Sequence, residues 1–191
     1  MKGAHFVLGT TETLYTVNES AGFAYQRLSS LDMFFYTGHG NAGRLSFQNQ
    51  QQEHNGYISV YSNYSSNYSV SYINDLPNNS LSNMRCAFLI GCLTGEENGE
   101  YNLVDEFYNK GAHFVLGSKE LLAPSAGNDF IRAYNSKVLY SDSVDDLLNR
   151  IDEMCTFTLI EDYDGDGDSD GFKYSDVFPS YVVGDVYQTI N

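Results

Sequence analysis

The sequence predicts an α/β fold with a mostly parallel sheet covered on both faces. Two short, nearly continuous apolar runs, Leu31 to Thr37 and Cys86 to Ile90, have the pattern of strands buried on both sides. Segments with helical spacing alternate with strands, as they do in α/β architectures. A chain of 191 residues, 42% hydrophobic and 15% aromatic, is apolar enough and long enough to fold as one domain with a real core.

The first strand is predicted at Ala4 to Leu8, followed by a loop and a helix from about Glu19 to Leu28 that Ser29 and Ser30 end. Lys2-Gly3-Ala4-His5-Phe6-Val7-Leu8-Gly9 recurs identically as Lys110-Gly111-Ala112-His113-Phe114-Val115-Leu116-Gly117. The likeness continues more loosely through Glu12 and Glu120, Ala21-Gly22 and Ala126-Gly127, and Arg27 and Arg132. One strand, loop and helix unit is thus present twice, with residues 1 to 30 as the first copy. Two explanations stand, a pseudo-symmetric sheet or a chain that starts in the tail of a preceding similar domain; the repeated strand also suggests a third reading, a half-domain that acts only after self-association with another copy.

Residues 41 to 80 differ in character. The polar run Gln48-Asn49-Gln50-Gln51-Gln52 precedes apolar alternation in Tyr57 to Tyr61 and in Tyr68 to Ile73. Two strands joined by a turn at Asn63 to Asn67 predict a β-hairpin inserted at the rim of the sheet. It either walls a substrate cleft, where tyrosines supply contact area, or is a solvated hairpin outside the chemistry. Asp75-Leu76-Pro77-Asn78-Asn79 is a turn that leads into the Cys86 strand.

Beyond Ile90, a Gly- and Glu-rich turn leads to the amphipathic run Leu103, Val104, Phe107, Tyr108, and Cys92 is read as opening that helix. After the second copy of the repeated strand, Pro124-Ser125-Ala126 starts a helix with Phe130, Ile131 and Tyr134 on one face. Ser143 is the expected N-cap of a further helix reaching Cys155; Asp145 and Asp146 suit its first turn, and Val144, Leu147, Leu148 and Ile151 follow helical spacing. Cys155 reads as a packing residue.

A C-terminal hairpin is expected over 156 to 187, flanked by strands at Thr156 to Ile160 and Phe178 to Val183. Its loop sets Asp162, Asp164, Asp166, Asp168 and Asp170 at alternate positions, the oxygen density that hard cations such as Ca2+ require. The EF-hand pattern is incomplete, because the twelfth place is Val177 counted from Asp166 and Lys173 counted from Asp162. Calcium that orders the hairpin and an unoccupied acidic loop are both open readings.

The two principal strands each stop at a glycine and a reactive side chain, in Phe34-Phe35-Tyr36-Thr37-Gly38-His39-Gly40 and in Ala87-Phe88-Leu89-Ile90-Gly91-Cys92. In open α/β sheets, ligands bind beyond the carboxyl ends of strands, where glycines let the backbone turn and come close. An imidazole beside a thiol lowers its pKa and can later protonate a leaving group. Taken singly, His39 reads as a core histidine and Cys92 as a buried thiol; taken together, they read as a dyad, with the N–H groups of Gly40 and Cys92 as oxyanion donors. His5 and His113 read as packing or edge positions, and His54 as a loop residue without an evident partner.

Four stretches in order, FFYTGHG, AFLIGCLTGEE, KGAHFVLGSKELL and YVVGD, resemble the cysteine peptidases of the caspase-hemoglobinase fold (clan CD), within them the CHAT and gingipain- or clostripain-like branches. The likeness spans residues 31 to 187. It implies a three-layer α-β-α sandwich, to which this chain adds β-hairpin insertions, and cleavage of a polypeptide substrate by His39 and Cys92 through an acyl-enzyme. It demands no cofactor for the chemistry and no third catalytic residue. Members that cleave after Arg or Lys carry an Asp two residues before the cysteine; Ile90 stands there, so that preference does not carry over. The alternative within the same fold is a catalytically inactive binding or adhesion module, stabilised by calcium.

The formal charge of −15 argues against nucleic acid and anionic membranes as partners. It suits cationic substrates or divalent ions, or simply solubility. Three cysteines, Cys86, Cys92 and Cys155, do not make a disulfide scaffold, and their odd number leaves a free thiol. No CxxC pair or His/Cys spacing suggests zinc. With no signal-peptide pattern and no long apolar run, a soluble chain is expected, its compartment left open.

Overall fold

The computed structural model describes residues 4–8, 13–17, 21–48, 54–60, 69–96, 102–122, 126–152, 156–158, 171–173 and 182–185. In chain order the elements are β1 (Ala4–Leu8), β2 (Thr13–Val17), α1 (Ala21–Arg27), β3 (Met33–Thr37), β4 (Gly40–Asn41), β5 (Arg44–Gln48), β6 (His54–Ser59), β7 (Val70–Tyr72) and β8 (Cys86–Ile90). They continue with α2 (Leu103–Asn109), β9 (Phe114–Gly117), α3 (Ala126–Lys137), α4 (Val144–Asp152), β10 (Thr156–Thr158), β11 (Gly171–Lys173) and β12 (Val182–Gly184).

The apolar runs that predict buried strands are β3 and β8, and every residue of both is buried. They lie side by side and parallel, Met33 opposite Cys86 and Thr37 opposite Ile90, and β9 adds a third parallel strand. The whole sheet has the order β12-β9-β8-β3-β1-β2, with β1 and β12 antiparallel to their inner neighbours.

The period of two sends alternate side chains into two cores. On one face, Phe34, Tyr36, Ala87, Leu89 and Val115 meet Ala21 and Ala24 of α1 and Leu103, Val104 and Phe107 of α2. On the other, Phe35, Phe88, Phe114 and Leu116 meet Phe130, Ala133 and Tyr134 of α3 and Val144, Leu147 and Ile151 of α4. The Phe35 ring lies 5.2 Å from Phe88 and 5.5 Å from Phe130, and Phe34 stacks on Phe107 at 5.8 Å. Each such ring contributes about 1.5–3 kcal/mol through burial. The mixed α/β fold thus has helices on both faces of a central parallel trio. Among the described residues, no helix is long and apolar enough to cross a membrane.

The expected N-cap of α4 is present, since Ser143 Oγ accepts from the Asp146 amide at 3.2 Å.

Three expectations need correction. The first copy of the repeat is followed by a second strand, β2, rather than by a loop alone, and β1 runs antiparallel to β3 while the identical β9 runs parallel to β8. The cause lies in the connections: β2, formed by the β-branched and aromatic Thr13-Leu14-Tyr15-Thr16-Val17, turns the chain back before α1 leads to β3, whereas α2 is the crossover that carries the chain from β8 to the parallel β9. Both copies still lie second from an edge of the sheet, each flanked by an antiparallel edge strand.

The expected hairpin in 41 to 80 is a four-stranded sheet, β4-β5-β6-β7, in which β6 and β7 are parallel. One edge of β6 is already occupied by β5, and α1 holds β7 on the other edge through Tyr25 Oη, which donates to Tyr72 O at 2.9 Å. Gly56, at φ 109°, allows the approach, because a Cβ there would lie 2.6 Å from Ser69 O. His54, read as a loop residue, is paired with Gln48, the first residue of the polar run, in the β5/β6 ladder.

At the C-terminus, β10 pairs with β11 rather than with the segment after Phe178, and β12 joins the main sheet along β9. The edge of β9 would otherwise be a row of unpaired backbone groups, which β12 covers. The Asp162 to Asp170 carboxylates and Cys155 lie outside the described residues.

Candidate active site

The parallel register Thr37 opposite Ile90 makes β3 and β8 end at the same level of the sheet. The turns beyond them, Gly38-His39-Gly40 and Gly91-Cys92, therefore leave side by side, and the Gly38 amide donates to Ile90 O at 3.2 Å. Their contact is too close for any side chain in between. A Cβ on Gly40 would lie 2.7 Å from Cys92 O, and a Cβ on Gly91 would lie 2.9 Å from Gly38 O.

His39 stands exposed at the top of this contact, and its carbonyl is pinned from below. That carbonyl accepts from the Ser46 amide at 2.9 Å and from Tyr36 Oη at 2.5 Å. Tyr36 Oη also lies 2.7 Å from Ser46 O, so one buried hydroxyl serves two carbonyls. Burial pushes its phenol far above the ordinary tyrosine range, offset in part by the hydrogen bond to Ser46, and the neighbouring Cys92 pushes in the same direction as burial. Tyr36 is accordingly a neutral donor.

Cys92 is half-buried, and its thiol faces the loop after β9. The Leu122 amide donates to Sγ at 3.3 Å, and Sγ donates to Leu122 O at 3.5 Å. Among the described residues no hydrogen bond joins His39 to Cys92: the backbone brings the pair together, and the thiol bonds elsewhere. Cys86 is the contrasting case, fully enclosed in the second core, where burial pushes its thiol up to about 12 against a smaller pull from Arg85.

The residue after Cys92 is strained. Leu93 has φ 56°, a left-handed conformation that side chains rarely adopt, and its amide is held by Glu120 O at 3.0 Å. Cys92 does not open a helix, contrary to the expectation from sequence. Residues 92–95 form a turn, and α2 starts only at Leu103, with Asn102 as its N-cap accepting from Val104 and Asp105 at 2.8 and 3.3 Å. The left-handed Leu93 interrupts any helix at this point, so among the described residues no helix starts at the thiol.

The Cys92 amide meets no acceptor among the described residues. Because Ser46 donates to His39 O, the Gly40–Leu45 pair falls at a position outside the ladder bonds, and the Gly40 amide points away from β5. Tyr36, Thr94 and Leu122 were not legible as site residues; the hydroxyls of Tyr36 and Thr94 inside otherwise apolar runs were the signal in the sequence.

His113, at the opposite end of β9, places Nε2 3.0 Å from Ser82 O. An open cavity of about 500 Å³ beside it, lined by Tyr108, Asn109, Gly111, Ala112 and Asp185, is remote from Cys92. Among the described residues, no group of three or more His, Cys, Asp or Glu side chains could hold a metal ion. Family models, curated proteins and solved structures give no match to this chain.

Proposed function

We propose that the chain is a cysteine endopeptidase with a three-layer fold of the caspase-hemoglobinase type, hydrolysing peptide bonds through His39 and Cys92. One observation supports this reading above the rest: two glycine-bounded turns, one with an imidazole and one with a thiol, abut at the carboxyl ends of adjacent parallel strands. In the proposed reaction the Cys92 thiolate attacks the peptide carbonyl. The Gly40 and Cys92 amides stabilise the oxyanion, and His39 gives a proton to the departing amine. Water, deprotonated by His39, then hydrolyses the acyl-enzyme and frees the thiol. Incubation with a mixture of unstructured peptides, read by mass spectrometry of the fragments, tests it. New termini that vanish in Cys92→Ala are expected; intact peptides with folded wild-type protein would contradict the reading.

The thiol's bonds to Leu122 in place of His39 favour a second reading, a non-catalytic binding module of the same fold. In that case calcium at Asp162, Asp164, Asp166, Asp168 and Asp170 would serve stability. Retained, calcium-dependent binding of a polypeptide without cleavage separates it from the first.

A further inference from the structure

Thr94 is completely buried two residues beyond the thiol, in contact with the end of β8, both glycines and the residue after β9. Its hydroxyl oxygen lies 2.5 Å from Leu89 O and 3.1 Å from Gly91 O as donor, and it accepts from the Ser118 amide at 3.1 Å. These bonds tie the last turn of β8 to the strand end beyond β9. Its methyl group faces the other way, filling the space above both glycines: it stands 2.5 Å from where a Cβ on Gly40 would be and 3.2 Å from that of Gly91. A threonine is stiff at χ1, so fixing the hydroxyl also fixes the methyl.

We infer that Thr94 is a positioning residue, whose side chain holds the Cys92 turn at a set distance from the His39 turn. This rests on the dyad reading. Serine keeps the hydroxyl and its three bonds but removes the wedge above Gly40 and Gly91. Valine keeps the wedge but takes the hydroxyl from the buried Ser118 N–H, while Leu89 O keeps its bond from the Gly91 amide. Serine therefore isolates the positioning role, and valine mixes it with a loss of stability.

The experiment is the pH–rate profile of Cys92 alkylation by iodoacetamide, read by mass spectrometry, for wild type, His39→Ala, Thr94→Ser and Thr94→Val. Circular dichroism is recorded on each. In the wild type the rate should depend on His39. In Thr94→Ser, with its fold intact, the His39-dependent part should fall roughly tenfold, the scale on which small misplacements of reacting groups act. A His39-dependent profile that Thr94→Ser leaves unchanged overturns the Thr94 role alone. A wild-type profile indifferent to His39→Ala overturns the dyad reading, and the Thr94 role with it.

Discussion

A side chain on Gly40 would have to occupy the place of the Cys92 carbonyl, 2.7 Å from its Cβ. The two turns are in contact through backbone, so their separation is set by the absence of a single carbon. Gly40→Ala would also meet the Thr94 methyl at 2.5 Å. Because one of the two obstructing atoms is backbone, the turns must part. A loss of about 1–3 kcal/mol, the usual cost of overpacking, is expected in urea unfolding, together with slower modification of Cys92 by peptide electrophiles.

Tyr36→Phe removes a hydroxyl and little else. The His39 carbonyl keeps its bond to Ser46 N, while Ser46 O loses the Tyr36 bond. A cost of about 0.5–1.5 kcal/mol is expected, the net worth of one hydrogen bond to a part-buried carbonyl. The diagnostic result is an altered His39 environment: its imidazole NMR resonances should shift and broaden, since the loop beneath it is no longer pinned.

Alkaline pH should destabilise the fold through Cys86. Its pKa rises from the ordinary 9.0 to about 12 on folding, so above pH 9 the unfolded chain releases a proton that the native chain keeps. Stability is then fully present below pH 9 and falls between pH 9 and pH 12, with a slope of up to about 1.4 kcal/mol per pH unit from this group. Tyr134 and Tyr36, both raised from 10.0 by burial, add to the loss above pH 10. Denaturant midpoints measured from about pH 8 to 11 should fall less steeply in Cys86→Ala than in the wild type.

Asn102→Ala is expected to loosen the site from behind. Asn102 is buried, caps α2 through two amides and donates from Nδ2 to Gly95 O at 2.9 Å, the last residue of the Cys92 turn. Loss of the cap should lower stability by about 1–2 kcal/mol. Amide exchange should speed up at both the start of α2 and residues 93–95, whereas a purely local cap would affect α2 alone.

The part of the molecule readable from sequence was the part governed by local pattern. Phe34 to Thr37 and Cys86 to Ile90 are strands because no other element suits a short apolar run ending at glycine, and their parallel pairing places His39 beside Cys92. The α4 cap at Ser143 was legible for the same local reason. Pairing between distant segments was not. Nothing in Tyr57 to Tyr61 tells that β6 already has β5 on one edge, so β7 was expected as a hairpin partner and is a parallel neighbour instead. The identical octapeptides show the same limit, since β1 and β9 take opposite directions relative to their inner neighbours, as set by the connections: β2 reverses the chain before α1 and β3, and α2 carries it from β8 to β9. Thr94 and Leu122 act through tertiary contacts, the second through its backbone, which no residue type announces.

The most direct test of the dyad is covalent labelling by peptidyl acyloxymethyl ketones with varied P1 side chains, applied to wild type, His39→Ala and Cys92→Ala and mapped by mass spectrometry. Selective modification of Cys92 that depends on the peptide and falls sharply in His39→Ala is the expected result. Equal, slow labelling of all three cysteines in folded protein, indifferent to His39, would contradict a peptidase centre at these two turns.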